Sequence, residues 1–289
     1  MIKTEYDIKV FKDLQDARLK DAWLRLEKET DAFPQSYYEW IEPWWKHNSA
    51  DKELYIITAI NRFNEIAGIA PFCIEKKSWI KVLRTIPIHF GDFFFIISQK
   101  TEATEILLTI TKYTLTFYAW NVIHLFNVYS TSLEYSILSG NCGFKSKKLC
   151  DIHEALFQSD SFDDYLLTLS KNTRSQYRKK ISKIKREGKL ELEVVTDYSK
   201  YLACFQATRD LYNYRWGQDA RSLLNDEYYV MRNEALEMCF KNNLAVLYNL
   251  RFNDSIIAFR IGLMHKRVFY DWKVSHSPDY ESYSPGFVL

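Results

Sequence analysis

The sequence predicts a mixed α/β protein (α+β in its layering) made of two similarly ordered units. Three observations lead there. First, short runs of alternating or apolar residues are interleaved with helical stretches, which implies strands layered against helices. Second, one order of elements occurs twice. Arg62-Phe63-Asn64-Glu65 joins the apolar runs 54–60 and 66–74, and Arg251-Phe252-Asn253-Asp254 joins 244–250 and 256–264, about 190 residues later. Each reads as a hairpin with a polar, Asn-containing turn. Third, the composition is that of a packed globular chain. Of 289 residues, 47% are apolar and 16% aromatic, with only 8 Gly and 6 Pro, so loops and fibres do not dominate.

The elements follow in order. Tyr6–Phe11 alternates as a strand, and Asp13–Thr30 is helical. A second helix, Ser36–His47, carries Trp40 and Trp44 on one face, where core packing is the default role. The first hairpin comes next. Val82–Ile97 reads as short strands around a loop with Pro87, His89, Gly91 and Asp92. Thr101–Tyr118 is helical, Asn121–Phe126 a strand and Ser132–Ser139 a helix, with Gly143 as a left-handed cap and Phe144–Leu149 as a further strand. The second copy repeats the order with a strand (Leu190–Val195), a helix (Tyr198–Trp216), a Tyr228-Tyr229 pair matching Tyr37-Tyr38, and a hairpin. Repeats set architecture, so the expected division is 1–155 and 156–289.

Between the units lies the most charged stretch. Lys171 to Lys189 holds nine basic residues and one acidic residue, against a net charge of +2 for the whole chain. Tyr177, Ile181 and Ile184 recur at helical spacing, so this is an amphipathic helix with a basic back, capped by Ser170 or Asn172 and ended by Gly188. It is either a solvated face or an anion site. The balanced overall charge and the lack of a recognition motif exclude DNA readout. Five cysteines without a Cys-x-x-Cys pair, and six histidines without a helical His pair, point to free thiols and no structural metal. No apolar run reaches the roughly 18–20 residues of a spanning helix. The start, Met1-Ile2-Lys3-Thr4-Glu5, lacks the apolar core of a signal peptide. A cytoplasmic location is expected, with contact at a membrane periphery left open.

The chain closes on Tyr283-Ser284-Pro285-Gly286 after a strand-rich meander, Asn243 to Ser275. A strand, a small-residue turn and a helix start can direct backbone N–H groups at a phosphate. Arg215-Trp216 ends the long helix of the second unit and reads equally as an anion-binding pair or as surface packing.

This ordered set of Ser170-Lys171-Asn172-Thr173-Arg174, Arg215-Trp216, Asn253-Asp254, Ile257-Ala258, Tyr270-Asp271 and Tyr283-Ser284-Pro285-Gly286 resembles the GNAT-superfamily acyltransferases of the CelD-like, cellulose-biosynthesis group. Their layout is similar to that of the FemAB transferases. The resemblance implies tandem GNAT-like domains, and the second is expected to be C-terminally incomplete. It implies acyl-CoA, foremost acetyl-CoA, as co-substrate. The acceptor is a small molecule or glycan, through an amine or hydroxyl of a sugar, cell-envelope or polysaccharide precursor. The FemAB likeness leaves an aminoacyl-tRNA-dependent transferase as the alternative, although RNA is not expected as a partner, and a non-catalytic glycan- or partner-binding module is the third reading. In the GNAT-like reading the oxyanion donor lies on the strand backbone near Asp271-Trp272-Lys273. Asp271 and His276 are candidate bases and Tyr283 a candidate acid for the thiolate. Trp272, Lys273, Ser284, Pro285 and Gly286 contact the cofactor, and Arg174, Arg178, Arg215 and Trp216 contact substrate anions. Glu281 departs from the basic or amide residue of the family's cofactor loop.

Overall fold

The computed structural model of the chain describes residues 6–87, 93–117, 119–159, 161–217 and 229–289. The sequence candidates His89 and Asp92, and Tyr228 of the repeated Tyr pair, lie outside them. Two compact units form, Met1–Leu149 with Met231–Met238, and Cys150–Val230 with Cys239–Leu289. The sequence placed a single boundary near residue 155. The middle of one helix goes instead with the first unit, where Glu234 closes on Lys46 at 2.5 Å and on His47 at 2.6 Å.

The first unit opens with β1 (Asp7–Phe11), α1 (Ala17–Leu26) and α2 (Tyr38–Asn48). Asp16 caps α1 by accepting from the Leu19 N–H at 3.1 Å, and α1 buries Leu19, Ala22, Trp23 and Leu26, one stripe of a 3.6-residue period. The long hairpin β2 (Lys52–Ile60) and β3 (Ile66–Lys77) is followed by β4 (Ile80–Thr85), the short β5 (Ile97–Ser98), α3 (Ala103–Thr116), β6 (Val122–His124) and α4 (Leu133–Asn141). The sheet order is β1-β2-β3-β4-β6, with β5 also on β3. All pairs are antiparallel except β4 with β6. Residues Leu54–Ile60 are buried without a break, because β2 is central and covered on both faces. Tyr55, Ile57 and Ala59 pack with Ile106, Leu107 and Ile110 of α3. Each of the Ile and Leu side chains contributes about 1.5–3 kcal/mol on burial.

The second unit begins with α5 (Phe162–Thr168), α6 (Lys171–Glu187), β7 (Leu190–Val195) and α7 (Tyr198–Trp216), followed by α8 (Tyr229–Lys241), the helix whose middle goes with the first unit. It ends with β8 (Ala245–Phe252), β9 (Ser255–His265), β10 (Val268–His276), a 3₁₀ segment (Pro278–Tyr283) and the single turn α9 (Pro285–Val288). Its sheet runs β10-β9-β8-β7, all antiparallel. Both units therefore wind strand, helix, helix and three-stranded meander into the same sheet order. One face of the second sheet packs on α7, where Tyr212 meets Phe259 at 6.4 Å. The other packs Leu250, Phe252 and Ala258 against Ile184 of α6 and Val288 of α9.

One local expectation fails. Phe144–Leu149 forms no strand, because its alternating side chains find no sheet edge. Gly188 ends α6 as expected, in extended backbone (φ 177°) with its N–H donating to the Ile184 carbonyl. It is small because the β8–β9 turn presses on it: a Cβ there would lie 2.6 Å from the Asn253 Oδ1. Gly143 does take the left-handed conformation (φ +69°). No helix of the described residues is long and apolar enough to cross a membrane.

Candidate active site

The candidate residues gather at the end of β10. The ladder between β10 and β9 shifts register between Asp271 and Lys273, since Asp271 faces Gly262 while Lys273 faces Ile261. Trp272 is thus the extra residue of a β-bulge. A bulge takes backbone groups out of the ladder and re-aims side chains, which suits a strand that must offer an N–H to a ligand. Asp271 shares the sheet face of Gly262 and Arg260, and the Arg260 Nη1 stands 3.3 Å from its carboxylate. Burial raises its pKa above the ordinary aspartate value, and Arg260 opposes that rise. Lys273 turns to the α7 side, with its Nζ 3.3 Å from the Tyr212 hydroxyl.

His276 is the last residue of β10. Its ring contacts the guanidinium of Arg215 and lies against Gly286, where a Cβ would sit 2.8 Å from the Nδ1. The fold thus joins three of the sequence candidates, His276, Arg215 and Gly286, and Gly286 is tolerated there for its lack of a side chain. Burial and then Arg215 lower the His276 pKa below its ordinary value, against an opposing Glu281. The imidazole is therefore neutral near pH 7 and can accept a proton. Arg215 also lies 5.0 Å over the ring of Trp216.

The turn before α9 is sparser in free donors than its sequence suggested. Ser284 takes a left-handed conformation (φ 53°) and its N–H donates to Glu281. Phe287 and Val288 both donate to the Ser284 carbonyl, and Pro285 has no N–H. Gly286 is left as the backbone donor a ligand can engage. Cations compensate: Lys180 sits 4.3 Å over Phe287, and Lys183 reaches the Ser282 carbonyl at 3.3 Å.

Other candidates are spent elsewhere. Tyr283 donates its hydroxyl to Glu187, and that hydrogen bond, with burial, holds its pKa up. Arg174 caps α5, donating to the Leu167 and Leu169 carbonyls at 2.8 and 3.0 Å. Arg178 is exposed on α6. Sequence reading missed Arg260 and Glu187 as neighbours of the site, and held Lys180 and Lys183 only as part of the basic helix. The only signal for Arg260 was its opposite charge to Asp271, which becomes a pair once the strand register is known.

Residues 171–289 match the family model described as "Acetyltransferase (GNAT) domain". The whole chain is similar in fold to a crystal structure titled FemX, with a TM-score of 0.60 and 10% identity, covering 93% of this chain and 81% of that one. It also matches a conserved protein of unknown function from Bacteroides thetaiotaomicron VPI-5482, with a TM-score of 0.49 and 12% identity over 98% and 85% of the two chains. No curated protein matches the sequence. With its two sheets of one winding order, the chain has a tandem GNAT-like fold, and the matched domain supports acyl transfer as the general chemistry.

Proposed function

We propose that the protein is an acyl-CoA-dependent acyltransferase of the CelD-like kind. It moves an acyl group, acetyl in the first instance, to an amine or hydroxyl of a sugar or cell-envelope precursor. The observation that carries this reading is the Trp272 bulge lying on the same strand as a neutral His276, which is seated on the Gly286 turn. The Gly286 amide, Lys180 and Lys183 suit the phosphates of the acyl carrier, while Glu281 faces the same turn as an unfavourable charge. His276 accepts the proton of the attacking amine or hydroxyl as the new bond to the acyl carbon forms. The backbone at the bulge donates to the carbonyl oxygen as it gains charge. The carbon–sulfur bond then breaks, and the proton on His276 goes to the departing thiolate. Asp271, tied to Arg260, holds the acceptor rather than moving its proton. Tyr283 braces the turn through Glu187.

A thermal-shift titration with acetyl-CoA tests the assignment, with free thiol followed in the presence of amino sugars. Stabilisation and acceptor-dependent thiol release are expected. Failure of every acyl-CoA to stabilise the chain refutes it. A second reading, a FemAB-type transferase using aminoacyl-tRNA, draws on the exposed Arg178, Lys179, Lys185 and Arg186 of α6. Stabilisation by tRNA at low salt, without a response to acyl-CoA, would favour it.

A further inference from the structure

The hairpin joining β3 to β4 reads Lys76-Lys77-Ser78-Trp79-Ile80-Lys81. Lys77 faces Ile80, so Ser78 and Trp79 form a two-residue turn, with Ser78 at φ 57°. Trp79 is 82% exposed, the highest value among the large apolar side chains of the described residues. A lone exposed leucine needs no explanation, but an indole buries 150–250 Å² in ordinary use and is held here on an apex, clear of the core.

Cationic residues flank it on both arms of the hairpin, Lys76 and Lys77 on one and Lys81 on the other. Lys76 stands directly opposite Lys81 in the ladder, an arrangement that costs stability through like-charge repulsion. The nearby carboxylates are already matched, Glu75 to Arg84 at 2.6 Å and to Lys77 at 3.7 Å, and Glu53 to Lys12 at 2.5 Å. The base of the hairpin is fixed, because the Lys81 N–H donates to the Asn121 Oδ1 and the Asn121 N–H to the Lys81 carbonyl, both at 2.8 Å. Val122, next to that clamp, is 46% exposed.

We infer that this hairpin is an interfacial anchor for an anionic lipid bilayer. Trp79 seats in the headgroup region, and Lys76 and Lys81 engage lipid phosphates. The geometry orders the groups by depth. The indole leads, and Lys81 follows two residues behind, about 7 Å at the rise of a strand, with Lys76 level with it as its ladder partner. An apolar tip with cations behind it is the arrangement of interfacial segments. A nucleic-acid strand would want successive rings to stack bases, and this turn offers one.

Vesicle co-sedimentation of the full chain tests the anchor, using phosphatidylcholine alone and phosphatidylcholine mixed with phosphatidylglycerol. Binding to the mixed vesicles is expected, with a blue shift in emission that is lost in Trp79→Phe. Trp79→Ser should weaken binding roughly tenfold or more. Lys76→Gln and Lys81→Gln should each weaken it about fivefold. A control pair on α6, Lys185→Gln with Arg186→Gln, should leave it unchanged. Circular dichroism checks that each variant keeps its fold. Wild-type binding by Trp79→Ser overturns the inference. So do loss of binding in the α6 pair alone, equal binding without the anionic lipid, and hairpin-dependent retention of single-stranded RNA with no vesicle binding.

Discussion

The two meanders end differently, although they are wound alike. In the first unit β4 is flanked on both edges, by β3 and β6, and its ladder with β3 runs without a register shift. It ends in Thr85 and Ile86, both fully buried, with the Thr85 Oγ1 accepting from the Phe126 N–H at 3.0 Å. In the second unit β10 pairs with β9 alone among the described residues, is broken by the Trp272 bulge, and ends in His276. Covering β4 on both edges makes it core, while β10 is the outer strand of its sheet among the described residues and ends in a titratable side chain. The same winding therefore places its last meander strand inside the sheet in one unit and at the sheet's edge, next to the candidate residues, in the other.

The sharpest break of that contrast is His276→Ala. If β10 carries the chemistry, acyl transfer should fall by about 10²–10⁴-fold, the usual worth of a general base. The thermal midpoint should hold, because the ring is half-buried at the strand's end, against Gly286 and Arg215. The wild-type rate should decline on acidification only below the ordinary histidine value, as burial and Arg215 depress the His276 pKa. In Arg215→Ala the acid limb should move up in pH, towards that value. An unshifted limb would mean that another group titrates in the rate profile.

The contrast was partly legible in the sequence. Hydrophobic periodicity and Asn-containing turns are local signals, so the repeated hairpins and helices could be read from single windows. The candidate site depends on partners far apart in the chain. Tyr283 and Glu187 are separated by 96 positions, and Arg215 and His276 by 61. No window contains either pair. The bulge was equally hidden, since the register shift is a relation between two strands. Phe144–Leu149 shows the reverse failure: its alternation promised a strand, but a strand needs an edge to join.

Buried charge separates the units as well. Glu27 of the first unit lies beneath α2, where it accepts from the Tyr38 N–H at 2.6 Å and neighbours the buried Glu39. Burial, then repulsion by Glu39, pushes its pKa up to about 9 from 4.5. The folded chain thus holds a proton that the unfolded chain releases. This stabilising contribution is complete below 4.5 and is lost as pH rises through about 9. Glu27→Gln stays neutral at every pH. It should therefore gain stability over wild type as pH climbs through that window, and show little gain below it. Urea melts across the window measure this, and a constant difference would show that Glu27 is ionised in the fold.

Glu193 of the second unit has the opposite setting. Its Oε2 accepts from the Asn249 Nδ2 at 3.0 Å and the Arg251 Nε at 2.7 Å, and the Asn249 hydrogen bond leads the lowering of its pKa. The contribution is therefore present above the ordinary value of 4.5 and fades as pH falls below it. The carboxylate is about a third exposed, so solvent screens the pair and Glu193→Gln should cost no more than about 1 kcal/mol near neutrality. The cost should shrink on acidification, as the wild-type carboxylate protonates and comes to resemble the amide. Glu27 and Glu193 thus make opposite predictions from equivalent chemistry. If both glutamine variants changed stability with the same pH slope, the difference in charge burial between the units would be wrong.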